Sequence, residues 1–463
     1  MAEATISLPD DVLDWIRELT KGEVTHADRV PGGATREAWF VDVKMPDGSM
    51  RDMFVRYSTE QLPPRSAFHP LKVEAEMMMA LHAAGAKVPN VWGSHPTREA
   101  ILADRLTGGT WFYRIQDPDE QVSVANDFMK HLAKIHTIDP RTLNLPSFGE
   151  VKSAKEHALD RLRDIRWRGT APDGSIDPLL DLTVRWLERN VPDYDGPTVV
   201  VQGDTGPGNF MYENGGVSAI VDWELSHFGD PMDDIAWVSL RTVQDTFTHL
   251  PDRLKVYEEH SGHKIDEARI WYYRLFAEAT MVTLRPNEGD ADDAQKGRPA
   301  TRDIGNGLMY PQLHRRLWLV ALTKAMGIEF PMPSFPEPGP APEWHGLYDD
   351  ILGNLQHIVP RIADPLANGW AKGLARAVKY LQEIDLSGHD FAQLELDDIA
   401  AVLGARPESL SAGRAALARA AAEGKVDEID YVRVLWNKTM RDDYLMRTAS
   451  GALSKRTWPP VVD

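Results

Sequence analysis

The stretch QGDTGPGNF, Gln202–Phe210, follows the apolar run TVVV and is followed by Met211 and Tyr212. It sets Asp204 and Asn209 five residues apart in a loop whose Gly and Pro make a poor element interior but permit a tight backbone path. Further on, AIVDWE places a second acid, Asp222, at the end of the β-branched run Val217–Val221. Two strands forming a ribbon would bring Asp222 beside the loop. Carboxylate and amide oxygens suit Mg²⁺, and one or two protein ligands suffice where phosphates and water complete the octahedron. Phosphoryl transfer from a nucleotide asks for such a metal site and for a base that orients the acceptor hydroxyl. Read without its surroundings, Gly-Asp is equally a turn whose polar side chains bond their own backbone.

Outward from this loop the pattern is two-part. LPDDVLDWIRELT (8–20) has apolar positions at helical spacing with acids early. THADRV, AWFVDVK and MRDMFVRY, separated by PGGATRE and PDGS, read as a small antiparallel meander. HPLKVEAEMMMALHAAG reads as a helix ending at Gly85, with strand-like pieces at VPNVWGS and AILADRL. From Gly108 the chain turns mostly helical, interrupted only by TVVVQGD and GGVSAIVDW, with a polar loop from Arg285 to Arg302 and a helix ending near Gly327. FPMPSFPEPGPAP (330–342) carries six prolines in thirteen positions, the composition of an extended spacer. Beyond it lie only amphipathic helices.

The chain has 463 residues, more than one compact domain normally holds. A formal charge of −19 argues against a nucleic-acid partner, and the absence of cysteine excludes disulfides, thiolate metal sites and Cys nucleophiles. The first residues lack the basic and apolar regions of a signal peptide, and no run approaches the ~20 apolar residues that span a bilayer. A soluble, cytoplasmic protein without a membrane partner is expected.

VVVQGDTGPGNFMYENGGVSAIVDWELSHFGDPMDDIAW resembles the catalytic segment of the aminoglycoside phosphotransferase and choline kinase-like superfamily. That pattern is His-Gly-Asp, four variable residues, Asn, then Ile-Asp-Trp/Phe-Glu and Gly-Asp-Pro followed by Asp-Leu-Ala. Gly203, Asp204, Asn209, Asp222, Trp223, Glu224, Gly229, Asp230, Pro231 and Asp234 match in order and spacing, while Gln202 replaces the usual His. The resemblance implies an α+β, bilobal protein-kinase-like fold, with a small antiparallel β lobe, a large helical lobe and, here, a C-terminal all-α domain. The expected division is a nucleotide-binding lobe over 1–107, a catalytic and substrate lobe over 108–329, a linker over 330–342 and a helical accessory domain over 343–463. Asp204 is implied as catalytic base, with Asn209 and Asp222 as Mg²⁺ ligands. Gly32 and Gly33 resemble the nucleotide-covering hairpin, and Arg56 stands where kinases carry the phosphate-pairing Lys. Glu74 is its implied helix partner, with Glu76 the competing choice. Asp104–Leu106 resembles the hinge near the adenine, and His136 reads as a packed core residue.

ATP and Mg²⁺ are therefore the implied cofactors, and a small hydroxylated molecule the implied acceptor. The segment is most similar to the kinase-like domain associated with acyl-CoA dehydrogenases, which favours a hydroxyacyl-CoA or related hydroxylated metabolite. The helical appendix resembles a small protein encoded beside such kinases, and its alternative use is as a homodimer surface. An aminoglycoside or other antibiotic O-phosphotransferase is the alternative, compatible with the acidic balance. An inactive nucleotide-binding scaffold is a third reading, opposed by the joint presence of Asp204, Asn209 and Asp222. The His at 260 and 263 lack a third ligand and read as solvated.

Overall fold

Pro9 opens helix α1 (Asp10–Thr20), whose first turn carries Asp10 and Asp11 against the positive helix end. Its buried Val12 and Ile16 cover one face of a sheet. A computed structural model gives the structure over residues 8–30, 36–58, 61–284 and 304–462, so Gly32, Gly33 and the polar loop 285–302 lie outside the described residues.

The sheet is antiparallel, with strands β1 (Glu23–Val30), β2 (Glu37–Lys44) and β3 (Met50–Tyr57) forming the expected meander. After helix α2 (Leu71–Ala83), β4 (Val91–Ser94) and β5 (Ala100–Asp104) complete the order β1-β2-β3-β5-β4. Period-two alternation decides its two faces. Trp39, Val41, Val43, Met53, Val55, Tyr57 and Leu102 pack on α1. The opposite face therefore carries Ala38, Phe40, Phe54 and Arg56, with Ala38 opposite Arg56 and Phe40 opposite Phe54.

The helical lobe follows. Asp117 caps α3 (Pro118–His136), which buries Val124, Phe128, Leu132 and His136 along one stripe. Next come α4 (Ala154–Gly169), α5 (Pro178–Arg189), which belongs almost wholly to the second unit described below, and β6 (Val199–Val201). Strands β7 (Phe210–Glu213) and β8 (Gly216–Ile220) form a hairpin across Asn214–Gly215, both at positive φ. The short β9 (His227–Gly229), which carried no signal in the sequence, pairs antiparallel with β6. Helices α6 (Pro231–Gln244), α7 (Leu250–Ser261) and α8 (Glu267–Val282) complete the lobe, with α6 packed on α8 and α3 on α7. The architecture is the α+β kinase-like one, with a further helical region.

That region comprises α9 (Ile304–Ala325), α10 (Gly346–Ile358), α11 (Pro365–Leu403), α12 (Leu410–Ala422) and α13 (Glu428–Ser450). The chain divides into two compact units: residues 1–168, 188–286 and 458–463, and residues 169–187 and 287–457. This differs from the boundary expected at 330–342 for two reasons. First, α9 packs on α11 and α13, so it belongs with the appendix. Second, the proline-rich stretch is pinned. Trp436 Nε1 donates to the Pro331 carbonyl at 3.1 Å, and Phe335 stacks on Tyr444 with ring centroids 4.5 Å apart. The final residues belong to the first unit, where Arg274 Nη2 donates to the Pro459 carbonyl at 2.8 Å and Trp271 meets Trp458.

Within the second unit the Arg residues of PQLHRRLW are structural. Arg315 pairs with Asp177 at 3.3 Å, while Arg316 pairs with Asp443 at 3.1 Å and donates to the carbonyls of Leu453, Ser454 and Arg456.

If the proline-rich segment is docked, Phe335→Ala should destabilise the helical unit by about 2 kcal/mol, since half-buried stacked rings cost somewhat less than fully buried ones. Urea unfolding checks this. A free spacer would leave the midpoint unchanged.

Candidate active site

Asp234, in the first turn of α6, is completely buried and organises the loop after β6. Its Oδ2 accepts from the Gln202 amide at 2.9 Å, and its Oδ1 accepts from the Gly203 amide at 3.0 Å and from the Thr205 hydroxyl. His136 Nε2 donates to the same carboxylate at 3.0 Å, and His136 Nδ1 accepts from the Tyr257 hydroxyl at 2.6 Å. His136 is thus a buried core residue, as its sequence context predicted, and it works on the loop indirectly.

Gln202, the departure from the family pattern, bridges the two halves of the site. Its Oε1 accepts from the Asp204 amide at 2.9 Å and lies 2.9 Å from the Thr205 hydroxyl, whose one proton goes to Asp234. Its Nε2 donates to the carbonyls of Val221 at 2.9 Å and Asp222 at 2.5 Å. The β7–β8 ribbon is extended by the Val221 amide donating to the Asn209 carbonyl at 3.0 Å, which sets Asp222 beside the loop. Asp222 itself sits at φ 64°, an uncommon backbone for a non-glycine residue and one that Asp tolerates.

Asp204, Asn209 and Asp222 therefore come together as the spacing predicted. Asn209 Nδ2 donates to both the Asp204 carbonyl and the Asp204 carboxylate at 2.7 Å. The Asp204 side chain keeps 24% of its surface exposed, enough for a substrate to reach. Burial pushes its carboxyl up to about 6, against the attraction of Arg241.

Arg56 and Glu74 also meet, with Nη1 and Oε1 2.7 Å apart. Arg56 is further bonded to Asp222 at 3.1 Å through both terminal nitrogens and to Glu224 at 2.9 Å. Arg36, which the sequence did not single out, reaches Glu74 at 2.8 Å and Glu224 at 3.3 Å, and donates to the His69 carbonyl. Burial pushes the Glu74 carboxyl up while Arg56 and Arg36 pull it down. Burial and the like charge of Asp222 raise Glu224 to about 7. Glu76, the competing helix partner, instead accepts from the Ser147 amide at 2.8 Å and hydroxyl at 2.6 Å.

Residues 26–270, more than half of the chain, match the phosphotransferase enzyme family, APH. The chain is a member of the phosphotransferase enzyme family. Acyl-CoA dehydrogenase family member 11 of Rattus norvegicus is 26% identical over 238 residues, 47% of this chain and 29% of that protein. Family member 10 of Mus musculus is 26% identical over 189 residues, 37% of this chain and 17% of that protein. The chain thus spans less than a third of the length of these relatives. Among solved structures, a thermostable mutant of the aminoglycoside phosphotransferase APH(4)-Ia in complex with ADP and hygromycin B aligns with TM-score 0.45 at 15% identity, over 62% of this chain and 95% of that one. Macrolide 2'-phosphotransferase MphH of Brachybacterium faecium aligns with TM-score 0.44 at 18% identity, over 64% and 100%.

Other expected positions take structural partners. The Asp104 carboxylate accepts from Asn90 and Trp92, both at 2.8 Å, and its amide donates to the Asn90 carbonyl at 2.9 Å. Leu106 is half-buried. His260 is exposed and bonds the Val256 carbonyl, while His263 is half-buried against the His136 carbonyl rather than solvated. Among the described residues no group of three or more His, Asp or Glu is placed to hold a metal, so any cation here relies on few protein ligands.

Gln202→Leu would strand two carbonyls and the Asp204 amide, and should lower unfolding stability by about 3 kcal/mol. Gln202→His, which keeps a donor and an acceptor, should lose less than half of that. Equal losses in urea melts would show that packing, not the hydrogen bonds, holds the residue.

Proposed function

We propose that the protein transfers the γ-phosphoryl of MgATP to a hydroxyl of a small molecule, and that the acceptor is a hydroxyacyl-CoA or a related hydroxylated metabolite. The observation that carries the reaction is the convergence of Asp204, Asn209 and Asp222 on one loop and its neighbouring strand end, facing an Arg56–Glu74 pair.

The donor set fits Mg²⁺. Asp222 offers a carboxylate that is 32% exposed and Asn209 an amide oxygen, and a nucleotide's phosphates would complete the shell. Bound there, the ion would neutralise charge on the phosphates. The Asp204 carboxylate would accept the acceptor's proton as its oxygen attacks the γ-phosphorus. A carboxyl raised to about 6 is still largely ionised at neutral pH, and it is a stronger base than an ordinary aspartate. Arg56, held by Glu74, would exchange its bonds to Asp222 for phosphate oxygens, and its planar fork suits that role. Asp104–Leu106 are proposed to meet the adenine. Catalysis would come mainly from positioning and electrostatic stabilisation.

The acceptor class rests on the relatives. The matching segment occurs within proteins named as acyl-CoA dehydrogenase family members, which favours an acyl-CoA-linked substrate. No helix among the described residues is long and apolar enough to cross a membrane.

Mg²⁺-dependent ADP release should be stimulated by hydroxyacyl-CoAs in a panel that includes aminoglycosides. Asp204→Ala should lower that rate about 10³-fold while leaving nucleotide binding measurable. Asp222→Ala should weaken Mg²⁺-dependent ATP binding by about tenfold or more, and unchanged binding would undo the metal assignment. Stimulation by aminoglycosides alone would move the acceptor to that class, and no nucleotide binding would sink the kinase reading.

A further inference from the structure

The catalytic loop is held at both ends by one helix. Asp234 and Arg241 lie seven residues apart on α6, hence on one face of it. Asp234 takes the start of the loop, through Gln202, Gly203 and Thr205. Arg241 takes its end. Arg241 Nε donates to the Pro207 carbonyl at 3.1 Å, Nη2 donates to Asn209 Oδ1 at 3.2 Å, and Nη1 lies 3.6 Å from the Asp204 carboxylate.

We infer that Arg241 is a positioning residue that fixes the orientation of the Asn209 amide for metal binding; the inference rests on the phosphotransfer reading above. An Asn side chain has two faces, and only one presents its oxygen to a cation. Here Nδ2 is committed to Asp204, by bonds to its carbonyl and its carboxylate. Turning the amide over would set its oxygen against the Asp204 carboxylate and its N–H groups against a guanidinium. Arg241 thereby opposes the wrong orientation, and Asp204 favours the right one. When a metal takes Asn209 Oδ1, the Nε bond to Pro207 still anchors the guanidinium and the loop.

The loop's composition is built around this side chain. A Cβ on Gly206, at φ 140°, would lie 2.7 Å from Arg241 Cβ, and a Cβ on Gly208 would lie 2.6 Å from Arg241 Nη2. The first contact is with a fixed Cβ, and the second is with the guanidinium tip, which would have to leave its bond to Asn209. The two glycines that flank Pro207 and the arginine one helix away are therefore parts of a single device.

The test is the Mg²⁺ dependence of AMP-PNP binding, titrated calorimetrically for the wild type, Arg241→Met and Arg241→Lys. Residues that orient a ligand from outside the metal's own shell typically contribute 10–100-fold in affinity, so Arg241→Met should raise the half-saturating Mg²⁺ about tenfold or more. Arg241→Lys, which keeps the charge and loses the fork, should fall between. AMP-PNP affinity without metal should stay within about twofold of wild type, a separation that general loosening of the fold would not give. If Arg241→Met fails to fold, as circular dichroism would show, Arg241→Lys alone decides. Unchanged or tighter Mg²⁺ dependence in the folded variants overturns the inference. A wild type that binds no AMP-PNP with Mg²⁺ overturns instead the reading it rests on.

Discussion

Everything at the site depends on one buried carboxylate that accepts four hydrogen bonds. Asp234 receives the Gln202 and Gly203 amides, the Thr205 hydroxyl and His136 Nε2. A buried charge is tolerable only when its lone pairs are satisfied, and here the donors come from the very loop whose shape matters. The loop cannot move without leaving that carboxylate short of hydrogen-bond donors. His136 and Tyr257 extend the same chain of bonds to α3 and α7, so the loop's position is set by three helices rather than by its own sequence.

A second cluster works by imbalance. Glu74, Asp222 and Glu224 share two guanidiniums, those of Arg36 and Arg56. Three acids share two fixed cations, and burial together with the like charge of Asp222 raises Glu224 to about 7. A divalent ion at Asp222 would relieve that like charge, whereas a phosphate alone would worsen it unless it brought its own metal. The cluster would thus favour a phosphate that arrives with its metal over one that arrives without it.

The sequence made the local parts of this site legible. Asp204, Asn209 and Asp222 lie on one loop and the adjoining hairpin, so their meeting follows from strand pairing over a short span. Arg36 and Arg241 were not legible, because each acts across a long stretch of chain and sits in unremarkable surroundings, one at a strand's edge and one within a helix. The same contrast governs the fold. The meander and the helices follow from periodicity, whereas composition alone makes the proline-rich stretch a spacer. Its aromatics were the missed signal: Phe330 meets Trp436 and Phe335 stacks on Tyr444, contacts that a free linker would not carry. Trp458 likewise read as part of the appendix, although it packs with Trp271 against the buried Arg274.

The arginine at position 56 also has a geometric reason. Nη1 bonds Glu74 and Asp222 while Nη2 bonds Asp222 and Glu224, so one planar group joins α2 to both acids of the Asp-Trp-Glu segment. A lysine ammonium is a compact point charge and could not span three carboxylates from one strand position. With Arg36 holding the remaining oxygen of Glu74, the α2 carboxylate would keep a partner if Arg56 turned toward a phosphate. The second guanidinium thereby removes the main cost of such a turn, a buried carboxylate left unpaired. Arginine at 56 and arginine at 36 thus act as a pair on Glu74: one spans three carboxylates, and the other holds the Glu74 oxygen that the first leaves.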